Sequence, residues 1–176
     1  MMNVIKQKIA LIIAKRKFFS KNDEITNFTG KISSAEKFLV LLPDNSEDTL
    51  SSQDIPSYYK INKKQVTILG YKNVVPIILE SHSFNSILFS EEELTNFGLP
   101  NKELVDKIKS EEFDVVIDLN RGENFVFSVL TNIPKSAIKI GFKKEKSDVF
   151  YNFQVANNQN NAEISYRNFL NSIQMF

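Results

Sequence analysis

From residue 37 onward, short apolar runs alternate with segments of helical character, and this alternation constrains the fold more than any other feature of the sequence. Each run is too short for a stable helix but has the length of a strand that is buried on both faces. Parallel strands need long crossover connections, which are usually helical, so the pattern predicts a mostly parallel sheet covered by helices. The five runs are residues 37–42, 66–69, 86–89, 115–119 and 137–140.

Helix signals lie between and after these runs. Several of the segments open with a capping residue and a carboxylate-rich first turn. Pro56 is expected to bend or restart the first helix, because proline lacks a backbone N–H. The predicted fold class is therefore α/β, a Rossmann-like three-layer domain with a mostly parallel sheet. The predicted helices are residues 48–60, 90–94, a segment opening at 101–105, 123–132 and 161–176, and the predicted loops are 143–148 and 157–161.

The first 21 residues form a basic segment in which no acidic residue occurs before Asp23. Its apolar residues recur three to four positions apart, which predicts an amphipathic N-terminal helix that precedes the α/β domain. The apolar run at residues 9–14 is too short to cross a bilayer and lacks a signal-peptide cleavage site. We expect this helix to pack on the domain or on a partner chain, including a second copy, or to contact an anionic membrane surface. The residues assigned to a membrane or partner contact are Lys6, Lys8, Lys15, Arg16 and Lys17.

Length and composition fit one globular domain with an N-terminal extension. The chain has 176 residues, of which 42% are hydrophobic and 24% charged, close to the averages for soluble proteins. We expect a helical arm and connector at residues 1–36 and a single α/β domain at residues 37–176. The 22 basic and 21 acidic side chains nearly balance, which argues against a nucleic-acid partner.

The lack of cysteine excludes several classes of site. Without Cys, the chain has no disulfide scaffold, no thiolate nucleophile and no zinc site with sulfur ligands. His82 is the only histidine. The phosphate-binding motifs Gly-x-Gly-x-x-Gly and Gly-x-x-x-x-Gly-Lys-Ser/Thr do not occur in the sequence. We therefore expect no cofactor and no metal. Carboxylate-only Mg²⁺ binding through Asp44, Asp48 and Asp118 stays open, although their spacing does not demand it.

Polar side chains follow the first and fourth apolar runs. Because ligands of open parallel sheets bind beyond the carboxyl ends of the strands, these side chains are candidate binding residues. A carboxylate at this edge could serve as a general base, although Asp and Asn are also common turn and capping residues. Substrate binding is assigned to Asp44, Asp118, Asn120 and Arg121.

The sequence resembles a known family over about residues 37–155. Its segment EFDVVIDLNRGE, residues 112–123, is similar to a stretch in the amino-terminal half of the lipopolysaccharide heptosyltransferases, glycosyltransferase family 9. Along nearly its whole length the chain also resembles a group of uncharacterised bacterial proteins of similar size. The other segments that carry the heptosyltransferase resemblance are residues 37–42, Asp48, and residues 56–60, 128–130 and 138–142.

The resemblance implies a part in cell-envelope polysaccharide assembly. In that family the aspartate of a Gly-Asp turn is proposed as the general base for the acceptor hydroxyl. Asp48 falls on this position, with Glu47 in place of the glycine, and is the candidate catalytic residue. The family binds its nucleotide-sugar donor in a carboxyl-terminal domain, and this chain corresponds to the first domain, so we expect no sugar transfer by the chain alone. Composition predicts a cytoplasmic location, and the basic N-terminal helix adds a peripheral contact with the inner face of a bacterial membrane as an alternative.

A second class of function stays open, because a shared fold does not carry activity with it. The domain could instead be a non-catalytic module that keeps the fold without the chemistry. In that case it would contact a protein or a membrane through the basic N-terminal helix.

Overall fold

A six-stranded sheet organises the chain in a computed structural model that describes residues 4–19, 27–75 and 84–176. All of its strand pairs are parallel, and the order is β3-β2-β1-β4-β5-β6. The predicted Rossmann-like α/β fold is confirmed. The strands are β1 (Lys37–Leu41), β2 (Gln65–Tyr71), β3 (Asn85–Phe89), β4 (Val115–Asp118), β5 (Ile138–Phe142) and β6 (Phe153–Val155).

The five apolar runs become β1 to β5, and β6 is an addition that the sequence pattern did not indicate. This edge strand has three residues with Gln154 at its centre, so it shows no apolar run. It is defined by its pairing with β5, in which Ile140 lies opposite Phe153 and Phe142 lies opposite Val155.

Asparagine side chains cap four of the helices. In each case the amide oxygen of the capping residue accepts a hydrogen bond from the backbone N–H three residues later, a contact worth about 1 kcal/mol. The predicted helix at residues 48–60 is two helices that meet at Gln53, and Pro56 lies in the first turn of the second, where a missing N–H is tolerated. The helices are α1 (Val4–Lys17), α2 (Lys31–Ser34), α3 (Ser46–Ser52), α4 (Asp54–Ile61), α5 (Lys102–Lys109), α6 (Phe125–Leu130) and α7 (Ala162–Ile173), with 3₁₀ turns at Glu91–Glu93 and Ser147–Val149.

Two apolar layers cover the two faces of the sheet. Alternate side chains of a strand point to opposite faces, so Phe38 and Val40 join one layer while Leu39 and Leu41 join the other. The first layer receives α2, α4 and α7, and the second receives α5 and α6. With both faces covered, the loops at the strand ends remain as the places where polar side chains can gather.

Helix α1 confirms the predicted N-terminal helix, and its apolar side chains fall on two faces. Ala10 and Ala14 are fully buried, whereas Ile5, Ile9 and Ile12 are exposed. The small alanine side chains allow the helix backbone to lie close to the domain. No helix in the described ranges is long and apolar enough to cross a membrane. The residues that cluster with the two alanines are Leu99, Val129, Phe150 and Tyr151.

Glu93 fixes the connection between β3 and α5. Its carboxylate accepts hydrogen bonds from the Ser90 backbone N–H at 2.9 Å, from Lys72 Nζ at 3.0 Å and from Lys107 Nζ at 3.1 Å. Burial alone would raise the pKa of the Glu93 carboxyl, but these three donors outweigh burial and hold the pKa at about 2.

We expect the variant Glu93→Gln to lose about 2 kcal/mol of stability at neutral pH, because a charged hydrogen-bond acceptor is removed. The folded-state pKa lies below that of the unfolded chain, so acidification protonates the unfolded state first. The contribution of Glu93 is therefore present above about pH 4.5 and is lost as the pH falls towards about 2. Urea denaturation of both proteins across this range should show their difference in unfolding free energy shrinking with acidity. A difference that stays constant would contradict the assignment.

Candidate functional site

The candidate site lies where the strand order reverses. The chain leaves β1 for β2 on one side and later returns to place β4 on the other, so the loops after β1 and β4 diverge at the carboxyl edge of the sheet. Open α/β sheets bind ligands in the crevice that this reversal creates. A cavity of about 620 Å³ occupies the crevice. It is lined by Asp44, Asn45, Asp48, Asn120, Arg121, Gly122, Glu123, Asn124, Asn157, Asn158, Gln159 and Asn160.

A two-point ion pair joins α3 to the loop after β4 across the cavity. Arg121 Nη2 donates to Asp48 Oδ1 at 2.6 Å, and Arg121 Nε donates to Asp48 Oδ2 at 3.1 Å. The planar guanidinium and carboxylate groups match in this geometry, which makes the pair stronger than a single contact. The hydrogen bond and charge of Asp48 raise the pKa of Arg121 further. Arg121 Nη1 also donates to the backbone oxygen of Asn160 at 2.9 Å. This contact joins the loop after β4 to the segment that follows β6.

Local structure holds both members of this pair. Asp48 lies in the first turn of α3, where its backbone N–H donates to the side chain of the capping residue Asn45 at 2.9 Å. The Arg121 guanidinium lies 5.8 Å from the centre of the Tyr166 ring. Tyr166 is buried, and its hydroxyl donates to the Leu119 carbonyl at 2.8 Å. Burial raises the pKa of the Tyr166 hydroxyl, so this group is a neutral donor beneath the cavity.

Asp44 links the loop after β1 to the loop after β4. Its backbone N–H donates to Asn120 Oδ1 at 3.2 Å, and its Oδ2 accepts from Asn124 Nδ2 at 2.8 Å. Asn124 in turn caps α6. These contacts fix the mouth of the cavity with side chains that also terminate helices.

A buried polar network supports the cavity from below. Asp118 has no exposed surface, and its Oδ1 accepts from both Asn120 N at 2.9 Å and Asn120 Nδ2 at 2.7 Å. Its Oδ2 accepts from the Tyr151 hydroxyl and lies 3.9 Å from Lys144 Nζ. The Lys144 side chain is only 6% exposed, and within the described ranges its ammonium has no hydrogen-bond partner. The pKa of Tyr151 is raised, first by burial and then by the charge of Asp118.

Comparison with known proteins places the chain in a family. Residues 4–171 match a family described as "Family of unknown function (DUF6913)". The chain belongs to this family. No curated protein sequence matches it.

The DUF6913 chain shares its fold with solved structures of Escherichia coli heptosyltransferase WaaC. With the WaaC structure that contains ADP, the TM-score is 0.60 at 15% identity, over 77% of this chain and 46% of WaaC. With the structure that contains ADP-2-deoxy-2-fluoro heptose, the TM-score is 0.60 at 14% identity, over 77% of this chain and 47% of WaaC. The chain thus spans less than half the length of these relatives. At such identities the likeness shows a shared Rossmann-like fold, which supports the heptosyltransferase resemblance at the level of structure.

The predicted site residues of the DUF6913 chain occupy three kinds of position. Four of them line the cavity. Asp118 lies beneath it and supports Asn120 rather than facing the opening. The basic residues assigned to α1 are exposed on that helix and are not part of the cavity lining. His82 lies outside the described residues. The four lining residues are Asp44, Asp48, Asn120 and Arg121.

One wall of the cavity was missed by sequence reasoning. The sequence predicts only a loop at residues 157–161, yet residues 157–160 line the cavity and supply the carbonyl that Arg121 contacts. The capped helix that follows this tract could be predicted from the sequence, but β6 before it could not. Without β6 the tract could not be assigned to the carboxyl edge of the sheet.

The arrangement offers no cluster for a metal ion within the described ranges, where no three acidic or histidine side chains converge. Asp48 is engaged with Arg121 and Asp118 is engaged with donors below the cavity, so neither is set up as a Mg²⁺ ligand. The cavity instead presents hydrogen-bonding groups of mixed type. Three carboxylates and one guanidinium accompany seven amide side chains, and no aliphatic side chain contributes to the lining.

Proposed function

We propose that this DUF6913 chain is a glycosyltransferase-related domain that binds a neutral, hydroxyl-rich ligand of the sugar class, in cell-envelope polysaccharide assembly. The observation that carries the proposal is the polar cavity at the strand-order reversal, crossed by the Asp48–Arg121 pair. The fold shared with a heptosyltransferase supports the assignment to sugar chemistry.

The composition of the cavity favours sugar hydroxyls over other ligand groups. A hydroxyl both donates and accepts, so it is matched by carboxylates, which accept, and by amides, which do both. Glu123, Asn158 and Gln159 lie on the cavity wall, and Glu123 is solvent-exposed and makes no hydrogen bond or ion pair in the described ranges. Carboxylates outnumber the single guanidinium, which disfavours phosphate-rich ligands, while the lack of aliphatic lining disfavours apolar ones.

Arg121 and Asp48 are proposed as the main ligand contacts. Arg121 presents a planar donor group held by Asp48. A sugar hydroxyl can accept a hydrogen bond from Arg121 or donate one to Asp48. Asp44 and Asn120 are proposed to bind at the mouth of the cavity, and Asp118 to act as a positioning residue that holds Asn120.

The proposed catalytic role of Asp48 depends on a rearrangement. Each of its carboxylate oxygens already accepts a hydrogen bond from Arg121, so an acceptor hydroxyl would have to share the carboxylate with this cation. A general base must lie within hydrogen-bond reach of the proton that it removes. Asp48 is therefore proposed to act as a base only in a state in which a bound ligand draws Arg121 away.

A glycan array followed by calorimetric titration tests the proposal. We expect the wild-type chain to retain a subset of neutral glycans and the variant Arg121→Gln to bind them about 10-fold more weakly or worse, because charged hydrogen bonds are lost. Asp48→Asn should also weaken binding, since it releases the guanidinium from its fixed position.

Arg167→Gln is the matched control, because Arg167 forms an exposed ion pair with Glu163 on α7 at 2.6 Å. It should leave glycan affinity unchanged. Thermal melts of all variants show whether they remain folded. The proposal fails if the folded wild-type chain binds none of the glycans, or if Arg121→Gln and Arg167→Gln bind equally well.

A further inference from the structure

Helix α1 has an apolar stripe on the side opposite its two buried alanines. Ile5, Ile9 and Ile12 are spaced by four and three residues, so they share one face of the helix. Their side chains are 65%, 43% and 55% exposed. The opposite side is occupied, because Ala10 and Ala14 are fully buried against the domain. Three exposed isoleucines in a row are an unusual surface for a domain in water.

Basic side chains flank the stripe on both sides, and the exposed Arg16 continues its line one turn beyond Ile12. Lys8 and Lys15 are seven residues apart and lie along one flank, and Lys6 and Lys17 are eleven apart and lie along the other. All four are exposed, and α1 contains no acidic residue. Long basic side chains can extend their ammonium groups away from an apolar surface that their stems border.

We propose that α1 docks the chain on an anionic lipid bilayer, with Ile9 and Ile12 entering the headgroup boundary and the flanking lysines contacting anionic headgroups. An interfacial helix places an apolar stripe beside basic side chains. On α1 this arrangement belongs to the outward face alone, because apolar residues such as Leu11 and Ile13 line the side that packs on the domain. The charge pattern distinguishes the bilayer from a second copy of the chain. Two copies that met through this face would bring their basic flanks together, whereas an anionic surface complements them. The proposal is independent of ligand binding in the cavity.

Vesicle cosedimentation tests the docking with the full chain. The probes are vesicles of phosphatidylcholine alone and of phosphatidylcholine mixed with phosphatidylglycerol. We expect binding to the mixed vesicles that weakens at high NaCl, and much weaker binding to the neutral ones. The variant Lys8→Gln/Lys15→Gln should bind the mixed vesicles about 30-fold more weakly, which corresponds to the loss of two headgroup contacts. Ile9→Gln/Ile12→Gln should weaken binding by about 10-fold or more.

Matched controls replace exposed apolar and exposed basic side chains elsewhere on the surface. Ile61→Gln/Met175→Gln removes two side chains that are each 80% exposed, and Lys102→Gln/Lys135→Gln removes two exposed charges. Both should bind like the wild type. The proposal is overturned if neutral vesicles bind equally well, if no vesicle binds, or if the controls lose as much affinity as the α1 variants. It is also overturned if ultracentrifugation shows a dimer that the isoleucine variant abolishes, since a second copy would then cover the stripe.

Discussion

Replacing Asp118 with Asn is expected to destabilise the fold by about 3 to 5 kcal/mol, because the change removes one partner of a buried ion pair. Asp118 has no exposed surface, and the Lys144 ammonium beside it has no hydrogen-bond partner within the described ranges. In Asp118→Asn the ammonium would therefore lose its compensating charge. An amide has a single oxygen, so either the hydrogen bond from the Tyr151 hydroxyl or the two from Asn120 would lose their acceptor, and those that remain would be weaker. Guanidinium denaturation at neutral pH measures the loss.

A double variant separates charge from packing. Lys144→Met removes the ammonium while keeping an apolar side chain of similar length, so Asp118→Asn/Lys144→Met should be more stable than Asp118→Asn alone. Lys144→Met alone should cost less than Asp118→Asn, because Asp118 keeps its three other donors. The network does not stabilise the fold through this pair if Asp118→Asn unfolds with the wild-type midpoint. The same conclusion holds if adding Lys144→Met does not raise the unfolding free energy of Asp118→Asn.

The second large effect is expected from Gly141→Ala, at about 2 to 3 kcal/mol. Gly141 lies opposite Asp118 in the sheet, and a Cβ atom there would come within 2.9 Å, 2.9 Å and 3.0 Å of three carbons of the Tyr151 ring. This ring cannot easily yield, because it is buried and its hydroxyl bonds to both Asp118 and Ser128. Either the strand or the ring must move, and both movements disturb the network below the cavity. Chemical denaturation gives the free energy of unfolding.

Gly122→Ala is the control for this prediction. No atom lies within 4 Å of a Cβ built at Gly122, so alanine should fit there and leave stability unchanged or slightly raised. Near-ultraviolet circular dichroism of the Gly141→Ala protein should also change, since the environment of Tyr151 is altered. Equal unfolding free energies for the two alanine variants would show that Tyr151 moves aside without cost.

The sheet could be predicted from the sequence because its central strands are buried on both faces. Such strands appear as continuous apolar runs, and residues 37–42 and 115–119 are clear examples. The edge strand β6 could not be predicted, because three residues with a central Gln carry no such pattern and depend on pairing with β5. For α1, helical spacing predicted the helix, but the residues that are fully buried against the domain are the small Ala10 and Ala14, with Ile13 only partly buried beside them.

The candidate site was predictable in its location and not in its contacts. Placing polar residues after strands brought Asp48 and Arg121 to one edge of the sheet. Their direct pairing joins residues that are 73 positions apart, and it depends on loop geometry that no local pattern encodes. Asp118 illustrates the opposite case, since its position after an apolar run suggested ligand contact while its side chain is buried. The division of the chain at residue 36 and the roles of the site residues stay predictions.

The position of Tyr166 gives the cavity an optical signal of its own. The chain has five tyrosines and no tryptophan, so tyrosine dominates its near-ultraviolet absorption and emission. Tyr166 lies beneath Arg121, and its hydroxyl is held by the Leu119 carbonyl. A ligand that draws Arg121 away from Asp48 would change the electric field at this ring. Occupancy of the cavity can therefore be followed by tyrosine spectroscopy on the unlabelled chain, without a fluorophore attached near the site.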